Sequence, residues 1–148
     1  MNKSDLSEYK IIPGLTPSFE NQKILNVGWL EKGMDFKVSE PSKAFIEALR
    51  FLVSTSCVNA ERSYDYCPLC LPDKPKSFKD FKFPEHEVFT NVVGEERKLG
   101  NCEVWVDGEG ETYAAPNLII HYVLYHKYQP PEKFISAVIK HYHAESNE

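Results

Sequence analysis

Apolar side chains in residues 39–52 recur at three- and four-residue spacing, so Phe45, Ala48, Leu49 and Leu52 form one stripe of an amphipathic helix. Ser39 suits its N-cap, and Pro41 its first turn, where a missing N–H does no harm. A second stripe, Phe134, Ile135, Val138, Ile139 and Tyr142, predicts a last helix that begins after Pro130-Pro131 and packs on the helix before it. Between the two stripes the period changes. Residues 101–106 alternate, Asp107-Gly-Glu-Gly110 is turn chemistry, and Thr112-Tyr113 returns, which predicts a short antiparallel hairpin. Pro116 then fits the first turn of a helix that nothing interrupts from Asn117 onward. Elsewhere the pattern is weaker. Residues 24–30 have the bulk to dock on a core, but Gly28 argues against a regular strand, and residues 95–98 read as an exposed polar turn. The prediction is an α+β fold: one small domain over residues 11–143 with a short antiparallel hairpin, about three main helices and a zinc-finger-like metal site. Flexible tails are expected at residues 1–10 and 144–148.

The chemistry concentrates in two pairs of residues. Cys67-x-x-Cys70 is the usual thiolate half of a zinc site, and His121 and His126 offer an H-x4-H partner. On an unbroken helix those histidines stand about 500° apart and so diverge by about 140°, unless the helix ends between them. The bland alternative makes the cysteines a surface thiol pair and the histidines hydrogen-bonded side chains of a buried helix. Both pairs together in one Cys-poor chain favour a zinc site made of Cys67, Cys70, His121 and His126. Pro68 restricts the turn and leaves amides to face the thiolates. Four protein ligands close a tetrahedral ion and leave no water position, so the expected zinc is structural. Pro72, Asp73 and Pro75 disfavour the helix that a thioredoxin-like Cys-x-x-Cys requires. Cys57 and Cys102 are expected as buried apolar side chains, with an extra-ligand role as the alternative.

Composition narrows the function classes. With 148 residues, 42% hydrophobic and 13% aromatic, the chain can bury a core. A net charge of −5 argues against a general phosphate-binding surface. Residues 74–82 interleave lysines with Phe78 and Phe81, next to Phe83, the one nucleic-acid-like stretch, but a core-anchored loop with solvated lysines explains it better. The first ten residues lack a secretory apolar core and no apolar run approaches about 20 residues, so the cytosol, with its reduced thiols, is the expected compartment. His143-Ala-Glu145 has the H-x-E spacing of zinc deaminases, yet in those enzymes the Cys-x-x-Cys follows, whereas here it precedes.

The segments Leu99-Gly-Asn-Cys-Glu-Val-Trp-Val106, Tyr113-Ala-Ala-Pro-Asn-Leu-Ile-Ile-His-Tyr-Val123 and His126-Lys-Tyr-Gln-Pro-Pro131, with Phe134, resemble an uncharacterised family of small bacterial proteins. That family carries a Cys-x-x-Cys turn ahead of an AAPxLIxHYVxxHxYxPPxxF segment, and the similarity runs from Gly28 to Ile139. The resemblance implies a bacterial origin and makes Cys67, Cys70, His121 and His126 the matching polar positions; it implies no activity. The expected function is a non-enzymatic protein-binding or adaptor domain with structural zinc, whose acidic surface suits a basic protein partner. The alternatives are a metal-dependent hydrolase with an open zinc and Glu103 or Asp65 as base, and a nucleic-acid-binding regulator acting through residues 74–82.

Overall fold

The computed structural model describes residues 4–9, 23–60, 67–70 and 88–146. Among them run β1 (Lys23–Asn26), α1 (Lys43–Thr55), β2 (Val88–Thr90), β3 (Glu96–Lys98), β4 (Glu103–Asp107), β5 (Glu111–Pro116), α2 (Ile119–Tyr125) and α3 (Glu132–Ser146). Three helices and a small mixed sheet make the predicted α+β fold. The basic–aromatic stretch 74–82, Asp65 and the turns at 11–17 lie outside the described residues.

The predicted hairpin is β4–β5, with Trp105 opposite Ala114 and Val106 opposite Tyr113. Its turn closes where Gly108 N–H donates to the Glu111 carbonyl at 2.7 Å. The sheet has a third strand, in the segment where Gly28 counted against a regular one. β1 pairs parallel with β5 in the order β1-β5-β4, and stops at Asn26, so Gly28 (φ +76°) turns the chain just beyond the ladder. β5 is longer than expected and takes in Pro116, which moves the helix start to Ile119. Pro116 is tolerated because β1 pairs only as far as Ala114, leaving no call for its missing N–H on that side.

α1 begins three residues later than the pattern suggested. Ser42, not Ser39, is the cap: its Oγ accepts from Phe45 N at 3.1 Å, while Ser39 N–H goes to the Lys127 carbonyl. Phe45, Ala48, Leu49 and Leu52 are buried as the stripe required. α3 packs chiefly on α1 and β4 rather than on the preceding helix. Phe134 sits edge-on to both Phe45 and Tyr113, which draws α3 across the hairpin's inner face.

Three further segments depart from expectation. Residues 4–9 are no loose tail: Leu6 and Tyr9 N–H groups donate to the Asn26 and Ile24 carbonyls, and Asp5 accepts from Gly28 N and from the Tyr128 hydroxyl at 2.6 Å. The helix α3 continues through residues 144–146, where a tail was expected. Residues 88–98 form a second hairpin, β2–β3, whose turn is 91–95 rather than 95–98. Asn91 Oδ1 accepts from Val93 N and Glu95 N, fixing that turn through a side chain.

Candidate metal centre

Cys67, Pro68, Leu69 and Cys70 form a tight turn in which Cys70 N–H donates to the Cys67 carbonyl at 3.2 Å. Pro68 at the second position presets φ for such a turn. The Leu69 and Cys70 amides reach the Cys67 sulfur, as the notion of amide-stabilised thiolates required. The other half comes from α2, whose outgoing end settles the angular problem. The helix stops at Tyr125, His126 takes φ −109° and ψ 1°, and Lys127 is left-handed at φ +57°. Tyr128 N–H folds back onto the Tyr122 carbonyl at 3.1 Å. His126 therefore swings off the helical path, and its ring lies 5.0 Å from that of His121 at 82°.

The four side chains converge. Cys70 Sγ is 3.4 Å from His121 Nε2 and 3.3 Å from His126 Nε2, and Cys67 Sγ is 3.4 Å from His126 Nε2. All four donor atoms lie within 4.8 Å of one another, an arrangement that can hold a metal ion. Cys67 and His121 are buried, Cys70 and His126 half-buried. Without a cation beside it, burial pushes the Cys67 thiol up to about 12, and the neighbouring Cys70 adds to the effect. An ion binding here must displace that proton, so affinity falls as the solution is acidified.

A family model described as "Domain of unknown function (DUF7919)" matches residues 1–139. The chain belongs to that family. No curated protein and no solved structure matches it. For this member of DUF7919, the match spans nearly the whole chain, consistent with a single domain that contains all four donors.

The remaining cysteines correct the sequence reading. Cys57 and Cys102 are neither lone apolar side chains nor extra ligands but a disulfide, with Cα atoms 5.4 Å apart. They meet because Val58 and Glu103 exchange both backbone hydrogen bonds at 2.8 Å, fastening the end of α1 to the start of β4. The even cysteine count was the available signal. A disulfide is rare in reducing cytosol, so the pairing removes the thiol argument for that compartment. Among the described residues, no helix is long and apolar enough to cross a membrane. Glu103, the candidate base, is committed elsewhere: its carboxylate accepts from the Tyr9 hydroxyl, Trp105 Nε1 and Asn59 Nδ2. His143 is an exposed residue of α3 outside the donor cluster.

Proposed function

We propose that Cys67, Cys70, His121 and His126 hold one zinc ion as a structural centre in a non-enzymatic, protein-binding domain. The mutual approach of the four donor atoms supports this reading. Zinc lies about 2.3 Å from thiolate sulfur and about 2.0 Å from imidazole nitrogen, so a tetrahedral site has sulfur–nitrogen edges of about 3.5 Å. The three contacts of 3.3–3.4 Å agree with that edge. Two soft thiolates with two imidazoles favour zinc over the oxygen-seeking cations. With every position filled by protein, the ion ties the 67–70 turn to the end of α2 and adds to folding rather than activating water.

The binding role draws on the surface. Val92 and Val93, 50% and 74% exposed, project from the β2–β3 turn, and Tyr125 is 58% exposed on the metal-bearing helix. Bulky apolar groups in such places suit a protein partner, and the charge of −5 favours a basic one.

Metal analysis of the purified protein should give close to one zinc per chain. Cobalt substitution then separates the structural reading from a hydrolytic one. A closed site shows the strong visible bands of four-coordinate thiolate cobalt, unchanged by added azide. Bands that shift with azide would mean an open position and favour metal-dependent hydrolysis.

A further inference from the structure

The four cysteines of the chain fall into two pairs of different chemistry. Cys57 and Cys102 are already joined, which leaves Cys67 and Cys70 as the reduced pair. Those two differ in access: Cys67 has no exposed surface, whereas Cys70 is half-buried. Cys70 is also the sulfur that both imidazoles approach, at 3.4 Å from His121 Nε2 and 3.3 Å from His126 Nε2. The turn closed by Cys70 N–H on the Cys67 carbonyl keeps the two Cα atoms within about 7 Å, a span that a disulfide can bridge with little adjustment. Their sulfurs already lie within 4.8 Å of each other. These two atoms can be held by one ion or bonded to each other, but not both. The Cys57–Cys102 bond, across 45 residues, forms where the chain meets an oxidant. A pair preassembled in one tight turn is at least as easy to join, unless coordination keeps its sulfurs apart.

We propose that Cys70 is a peroxide-reactive site, whose oxidation joins it to Cys67 and empties the metal centre. The inference rests on the zinc reading given above. Oxidation of a cysteine follows thiolate character and access. Metal coordination supplies the first at both sulfurs, and burial grants the second to Cys70 alone. A sulfur that is only partly exposed admits a small uncharged oxidant more readily than a bulky charged one, so hydrogen peroxide is the reactant. The Cys70 sulfur attacks one peroxide oxygen, the O–O bond breaks, and hydroxide leaves and takes up a proton. Cys70 is then a sulfenic acid. The Cys67 thiolate attacks the Cys70 sulfur, an S–S bond forms, the S–O bond breaks, and a second hydroxide departs to become water. Two thiolates are thereby oxidised by two electrons, and one peroxide is reduced to two waters. His121 and His126 remain as the only donors, too few to retain the ion, and the 67–70 turn is no longer tied to the end of α2.

The test uses the full chain, its zinc content measured first. Hydrogen peroxide is added in steps and destroyed with catalase, and liberated zinc is read with a chromogenic chelator against an untreated control. Peptide mass mapping without reduction then locates the sulfur bonds. The expected result is close to one zinc released per peroxide consumed, with Cys67 bonded to Cys70 and the Cys57–Cys102 bond unchanged. Dimedone present during a short exposure should tag Cys70 and not Cys67. A phosphine reductant with added zinc should restore the loaded protein, and glutathione disulfide at the same concentration should release zinc more slowly than peroxide. Zinc that stays bound in a large molar excess of peroxide overturns the site. A tag on Cys67 overturns the choice of attacking sulfur, and faster release by glutathione disulfide overturns the choice of oxidant. Chains that contain no zinc before peroxide is added overturn the metal reading, and this inference with it; chains that hold zinc and keep it overturn this inference alone.

Discussion

Stripping the metal is the perturbation that bears most directly on the fold. The ion would close a chain segment of 51 residues between Cys70 and His121. Cross-linking a loop of that length removes about 4 kcal/mol of entropy from the unfolded chain. The Cys57–Cys102 disulfide, itself spanning 45 residues, already offers a shorter path between the two ends. That lowers the expected figure to about 3–4 kcal/mol. It is a floor, because structural zinc in small domains binds with apparent free energies of about 10–16 kcal/mol. For a chain of this size each kcal/mol shifts the melting temperature by roughly 2–4 °C, so removal should lower it by roughly 6–16 °C or more. The assay is differential scanning calorimetry of the purified protein before and after chelation, with restoration on adding one equivalent of zinc. Cys67→Ser should reproduce the loss without a chelator. A chelated protein that melts within about 2 °C of the untreated one would refute the reasoning, since a cross-link of this span cannot be so nearly neutral.

Other expected outcomes follow from single contacts. Gly28→Ala should cost about 1–3 kcal/mol in urea unfolding, because a Cβ at φ +76° would also meet Ile119 Cδ1 at 2.8 Å, at the start of the helix that carries His121. Ser42→Ala should cost about 1 kcal/mol by removing the α1 cap. Tyr128→Phe should cost about 1.5–3 kcal/mol by deleting the 2.6 Å bond to the Asp5 carboxylate, and should loosen residues 4–9 in hydrogen exchange. Burial and Asp5 hold the Tyr128 phenol above its ordinary range, and burial with Glu111 raises Tyr113 to about 12. The native state therefore keeps protons that the unfolded chain sheds above about pH 10, so stability should be intact below that pH and fall as pH rises through about 12. Melting curves between those limits check the sign, and Tyr128→Phe should flatten the decline.

The donor set was legible because metal chemistry restricts residue types and short spacings, and Cys67-x-x-Cys70 with His121-x4-His126 satisfies both. The stripe of α1 and the Gly-Glu-Gly turn between β4 and β5 were legible for a similar reason, since each is encoded within a few neighbours. The cap of α1 was misplaced because two serines three residues apart are equally good caps until Lys127 claims the backbone of Ser39. Hairpin β2–β3 was missed because a charged strand lacks alternation, and an asparagine side chain holds its turn.

The sequence by itself determined which local elements form and which four side chains can share an ion, because those depend on periodicity and ligand type. Only the tertiary structure decided that β1 lies parallel to β5, that Cys57 meets Cys102, and that His126 leaves the helix in time to face Cys70. Each of these joins residues far apart in the chain or hangs on one backbone angle. Such choices are set by the packing of the whole core, which no short window of residues contains.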